Sequence, residues 1–157
     1  MTKIVNPARD RLERGERAVG IGIRLARSTD IVPAMRASGY DWLFLDLEHG
    51  TMPLDVIGQL SIAGLSAPVS TIVRVPKGDY ALATRALDSG ASGIILPHVD
   101  SAAEAEEAVR HLKYPPLGHR SVGPTPQLDF QALPLADSMT VINASSLVTA
   151  MLSRIHF

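Results

Sequence analysis

The 157-residue sequence contains no cysteine, so disulfide staples and thiolate chemistry are excluded. It has no apolar run long enough to span a bilayer. The first residues, Met1-Thr2-Lys3-Ile4-Val5-Asn6-Pro7, lack the apolar core of a signal peptide. An excess of one charge is missing too: a formal net charge of -1 gives no electrostatic reason to bind nucleic acid or an anionic membrane. Gly20-Ile21-Gly22 has neither the third glycine nor the acidic partner of a dinucleotide fingerprint, which excludes a Rossmann domain. His98, His111, His119 and His156 match no metal-binding spacing and read as surface or loop residues. What is there is an ordinary globular balance, 46% apolar and 20% charged. That length supports one domain over residues 1–157 with a real core. The expectation is a cytoplasmic small-molecule enzyme or binding domain.

Strand and helix signals alternate along the chain. Asn6 and Pro7 predict an N-cap and first position for a helix through Arg14. Strands are predicted over Ala18–Arg24, Asp41–Leu47, Val69–Val75, Ser92–Pro97 and Ser146–Leu152. Between them the pattern predicts helices over Asp30–Ser38, Pro53–Leu65, Asp79–Ser89, Ser101–Leu112 and Leu133–Asn143. Tyr114 to Pro124 is rich in turn residues and reads as a loop. The joints Ala37-Ser38-Gly39-Tyr40-Asp41 and Asp88-Ser89-Gly90-Ala91-Ser92 echo each other as a repeated βα unit would. Such alternation predicts an α/β fold with a parallel sheet and right-handed crossovers.

The most informative stretch runs from Asp41 to Gly50. Trp42 to Leu45 fit a strand buried on both faces, yet burial gives no reason for Asp46 and Glu48. Alternation sends both carboxylates to one side at the strand's carboxyl end, with His49 following at a turn where Gly50 frees the backbone. In α/β folds that end is where ligands bind. The competing reading is a salt-bridged strand end.

Five segments together carry a family resemblance: Gly39–His49, Val73-Arg74-Val75-Pro76, Leu87-Asp88-Ser89-Gly90, Ile94–Asp100 and Lys113–Gly123. In order and over nearly the whole chain, they resemble the HpcH/HpaI aldolases, which cleave 4-hydroxy-2-oxo acids to pyruvate and an aldehyde. The resemblance implies a TIM-barrel-type (β/α)8 fold of the phosphoenolpyruvate/pyruvate kind, with the first half and a fifth strand present here. It implies that His49 is the catalytic base for the substrate 4-hydroxyl, acting through a water. It also implies that Arg74 stabilises the enolate oxygen of the nascent pyruvate, and that Asp88 makes the histidine more basic. Asp46, three residues before His49, is placed to orient the imidazole ring. Glu48 is expected to hold a neighbouring or metal-bound water. Duller roles stay open: Arg74 pairing with Asp46 or Glu48, and Asp88 as a surface residue at a helix end.

The resemblance further implies a divalent metal (Mg²⁺, Mn²⁺ or Co²⁺), a small 2-oxo acid as partner, and dicarboxylate substrates such as 4-hydroxy-2-oxoheptanedioate. The chain departs from the family at Leu147-Val148-Thr149-Ala150-Met151-Leu152-Ser153-Arg154. Ser153 stands where the family has a metal-binding glutamate, and no Asp or Glu follows Asp137. No metal ligand is assigned on this basis. A full barrel takes roughly 200 residues or more, so the chain reads as a shortened product with open sheet edges, expected to form a homo-oligomer. Two functions stay in view: a metal-dependent aldolase, or a non-catalytic remnant that binds an oxo acid or a partner subunit.

Overall fold

The computed structural model describes residues 4–128 and 133–152. Helices and strands alternate as α1 (Pro7–Glu13), β1 (Gly20–Ile23), α2 (Ile31–Ala37), β2 (Trp42–Asp46), α3 (Leu54–Ser66) and β3 (Ser70–Arg74). The chain continues as α4 (Tyr80–Asp88), β4 (Gly93–Val99), α5 (Ala102–Leu112), a 3₁₀ turn (Pro126–Leu128), α6 (Leu135–Ser145) and β5 (Leu147–Leu152). Every predicted element is present within two residues of its expected bounds; only the 3₁₀ turn was not anticipated. Local chemistry explains the starts and stops. The side chains of Asn6, Asp79 and Ser101 each accept a hydrogen bond from a backbone N–H of the first helical turn. Gly39 and Gly90 take positive φ of 91° and 105° just past α2 and α4, a conformation that ends a helix and that side chains resist.

The five strands form one parallel sheet in the order β1-β2-β3-β4-β5. Strand alternation then divides the residues between two faces. Leu43, Leu45, Val73 and Ile94 face the helices and are fully buried in the main core. Burial of each such side chain contributes about 1.5–3 kcal/mol. Trp42, Phe44, Ile72, Ile95 and Leu147 form a smaller cluster on the other face, together with Ala8 of α1. Helix α1 closes the amino-terminal end of that face. The Ala8 N–H donates to Ser70 Oγ at 3.0 Å, and Ser70 Oγ donates to Asn6 Oδ1 at 2.6 Å. The Asn6 amide donates to the carbonyls of Ser92 (3.2 Å) and Ser145 (2.7 Å). With that end plugged, the carboxyl end is the one left for a site. The sheet's edges are β1 and β5, and on β5 Met151 and Leu152 are exposed.

Candidate active site

Register decides the heart of the site. Asp46, the last residue of β2, lies directly opposite Arg74, the last residue of β3, so their side chains leave the same face side by side. Arg74 grips Asp46 with two bonds, Nε to Oδ1 at 3.0 Å and Nη2 to Oδ2 at 2.6 Å. Asp46 Oδ1 also accepts the backbone N–H groups of Glu48 (3.0 Å) and His49 (3.1 Å). Burial alone pushes the Asp46 carboxyl up. The hydrogen bonds from Arg74 and from the His49 and Glu48 backbone outweigh it and bring the pKa down from 3.8 to about 2. Asp46 therefore stays ionised, and the hydrogen bond with it holds the Arg74 guanidinium above its ordinary range. The guanidinium lies 5.1 Å over the Phe44 ring, a cation–π contact that steadies it from the inner face.

Glu48 bridges the two residues expected to do chemistry. Its Oε2 sits 3.2 Å from Arg74 Nε and 3.5 Å from His49 Nε2. That oxygen is buried and makes no aligned hydrogen bond with any described residue, so it remains an acceptor. The His49 side chain is 61% exposed, the accessibility a base needs to meet a substrate. Gly50 has no positive φ, so the expected need for backbone freedom is corrected. A Cβ there would lie 2.0 Å from the Asp46 carbonyl oxygen, so the turn carrying His49 doubles back too closely for any side chain.

The structure corrects two of the roles expected from the sequence. Asp46 holds the backbone of His49 and the guanidinium of Arg74; it makes no recorded bond to the imidazole ring. The duller reading of Arg74, pairing with Asp46 or Glu48, also holds, and in the structure it pairs with both. Asp88 is separated from His49. Helix α4 runs back from the carboxyl end of β3 to the amino end of β4, so its last residue lies at the far end of the sheet. There Asp88 accepts from Arg120 Nη2, and the Arg120 guanidinium stacks 4.6 Å over the Tyr114 ring. Within one copy of the chain it cannot tune His49. Lys113, at the same end, donates to the carbonyls of Asn143 and Ser146 at 2.8 and 2.6 Å, tying α5 to the end of α6. Burial, with Arg9 and Arg120 nearby, lowers its ammonium to about 8.

One residue at the site escaped the sequence reading. Arg24, just past β1, brings Nη2 to 3.6 Å from Asp46 Oδ2. The signal was present: Gly20 and Gly22 share the inner face, and Arg24 is the next residue of that alternation.

The described residues do not form a metal site by themselves. No group of three or more His, Asp or Glu among them is placed to hold an ion. Asp46 already accepts from four donors, which leaves the Glu48 carboxylate as the other acid beside it, where a hard cation takes about six oxygens. Ser153, at the family's glutamate position, lies outside the described residues. Among the described residues no helix is long and apolar enough to cross a membrane.

Residues 25–152 match the sequence model of the HpcH/HpaI aldolase/citrate lyase family. The chain belongs to that family. A hydroxypyruvate/pyruvate aldolase of Pseudomonas aeruginosa is 42% identical over 120 residues, 76% of this chain and 44% of its own length. A 4-hydroxy-4-methyl-2-oxoglutarate aldolase of Chaetomium globosum is 35% identical over 134 residues, 84% of this chain and 50% of its own length. The crystal structure of an HpcH/HpaI aldolase from Desulfitobacterium hafniense superposes with a TM-score of 0.87 at 34% identity. That superposition covers 94% of this chain and 57% of the other. The five parallel strands and the helices between them are thus part of a TIM-barrel-type fold of this family. The chain spans about half the length of the curated relatives it matches.

Proposed function

We propose that the chain serves a pyruvate-forming aldolase that cleaves a 4-hydroxy-2-oxo acid. The observation that carries this reading is Glu48 Oε2 lying between an exposed imidazole and a fixed guanidinium at the carboxyl end of β2 and β3. The names of the relatives, all aldolases of oxo acids, support the reaction class. His49 takes the proton of the 4-hydroxyl, that carbon becomes the aldehyde carbonyl, and the C3–C4 bond breaks. Its electron pair moves toward the C2 carbonyl oxygen, giving an enolate. Protonation of C3 completes pyruvate. Arg74 donates to Asp46 through Nε and Nη2, which leaves Nη1 for the developing enolate oxygen, where a permanent cation is most effective. Glu48 holds a water or substrate proton beside His49. A divalent metal of the kind the family implies would need ligands beyond the described residues. The expected homo-oligomer is checked by light scattering at micromolar concentration, where a monomer would overturn it.

The test is pyruvate release from 4-hydroxy-2-oxopentanoate, with and without Mn²⁺, beside a His49→Ala control. Release that drops about 10²-fold or more in the control supports the proposal. Release indifferent to the substitution, or none at all, overturns it. A second reading, a binding module for oxo acids without turnover, is favoured by the saturation of Asp46. It predicts His49-independent binding of pyruvate with no cleavage.

A further inference from the structure

A base has to be aimed as well as present, and His49 lacks both of the partners expected to aim it. Asp46 gives its two oxygens to four donors, none of them the imidazole. Asp88 lies at the amino end of the sheet with Arg120. The bond from the His49 N–H to Asp46 fixes the backbone at 3.1 Å, yet it leaves the side-chain torsions to settle among their rotamers. Among the described residues the ring has one ion-pair partner, Glu48, whose Oε2 lies 3.5 Å from Nε2.

Glu48 is built to hold that ring. Its side chain is only 12% exposed, and Arg74 Nε lies 3.2 Å from the same oxygen. Arg74 is fixed in turn by its two bonds to Asp46 and by the Phe44 ring. The carboxylate is therefore a rigid arm that keeps the imidazole at a set distance from the guanidinium. Its Oε2 is buried and makes no aligned hydrogen bond, and a long contact of this kind tightens when charge develops. The imidazolium formed by proton uptake is the donor this oxygen lacks, so the attraction strengthens during the step itself. The contact also separates the two ring nitrogens. A carboxylate only accepts, so the neutral ring presents a proton on Nε2 to Oε2 and keeps its lone pair on Nδ1.

We propose, on the basis of the aldolase reading, that Glu48 is the positioning residue of the base, the role expected of Asp88 from the sequence. It orients His49 through Nε2, makes Nδ1 the nitrogen that receives the 4-hydroxyl proton, and stabilises the imidazolium that results. Its other oxygen, Oε1, is left for the water beside His49.

The test joins NMR of the His49 ring nitrogens in the full chain with steady-state cleavage of 4-hydroxy-2-oxopentanoate, for Glu48→Gln and Glu48→Ala. At about pH 9, where an ordinary histidine is neutral, the unaltered chain should show one form, with Nε2 protonated and Nδ1 bare. Both variants should show the two protonation forms in exchange. A proton on Nδ1 in the unaltered chain, or a ring that neither substitution alters, would overturn the proposal. In cleavage, Glu48→Gln keeps an oxygen for Arg74 Nε but loses the charge that faces the imidazolium. It should lower kcat by about 10–100-fold, the worth of a hydrogen bond to a charged group, with KM within about twofold. A raised KM at unchanged kcat would assign Glu48 to substrate binding and overturn its role toward the base. Failure of the aldolase reading shows separately, as absent pyruvate release from the unaltered chain. That outcome removes the catalytic part of the proposal, while the ring nitrogens still decide whether Glu48 holds His49. Circular dichroism of the variants excludes loss of fold.

Discussion

At the carboxyl end of the sheet Arg74 meets Asp46, and at the amino end Arg120 meets Asp88; the two pairs are built in opposite ways. In the first the acid is fully buried and saturated by four donors, while the Arg74 side chain keeps 13% of its surface. In the second the base is the buried partner at 1%, with Nε and Nη1 lacking hydrogen-bond partners among the described residues, and Asp88 keeps 24%. The saturated acid is a fixed charge around which a loop is organised, and an exposed histidine and a spare arginine stand beside it. The buried arginine is wedged against Tyr114 and serves the packing of α4 against the loop after α5. An ion pair at a strand end becomes a site when its neighbours are left accessible; otherwise it is a rivet.

The contrast can be broken most directly by neutralising the acid of each pair. Asp46→Asn should cost about 3 kcal/mol in urea denaturation, because it strands a mostly buried guanidinium and loosens the His49 backbone. A loss under about 1 kcal/mol would mean that the carboxyl-end pair is not structural. Acidification should show the same group at work. The Asp46 pKa falls from 3.8 to about 2 on folding, so its contribution is complete above about pH 4. It drains away as pH falls through about 2, a total of roughly 2 kcal/mol. Denaturant midpoints between pH 5 and 2 should fall more steeply for the unaltered chain than for Asp46→Asn.

Asp88→Asn is expected to cost less, about 1–2 kcal/mol, since its carboxylate is partly solvated and the ring of Tyr114 still faces Arg120. The His49 ring resonances at fixed pH should not move in that variant; a clear shift would show that the two ends communicate. The smallest effect belongs to Arg24→Gln, under about 0.5 kcal/mol in stability, because an exposed charge at 3.6 Å contributes little. A larger loss would make Arg24 a third structural partner of Asp46.

Much of the framework was readable in the residues themselves. Caps such as Asn6, Asp79 and Ser101 and stops such as Gly39 and Gly90 act locally, so the helix bounds could be placed without any tertiary knowledge. Alternation along β2 likewise put Asp46 at the strand end on the same side as Arg74's register position. Asp88 was misplaced because its direction depends on how α4 packs back against the sheet, which no local pattern encodes. Arg24 was overlooked for a related reason: its meaning comes from the neighbouring strand, through the step from Gly22 opposite Phe44 to the next inner-face position. The role of Gly50 was read from conformational habit, whereas the structure shows a distance, 2.0 Å from a would-be Cβ to a carbonyl. Local signals fix where elements begin and end; cross-strand neighbours fix what their ends do.

The chain contains one tryptophan, and its position gives the site a built-in optical probe. Trp42 meets Phe44 edge-on with ring centroids 6.5 Å apart, and Phe44 in turn lies beneath the Arg74 guanidinium. A ligand that draws Arg74 off that ring alters the polar surroundings of the only indole by way of a single intervening side chain. Emission wavelength and quenching would then follow occupancy without any label, and the signal would come from the inner face of the sheet alone.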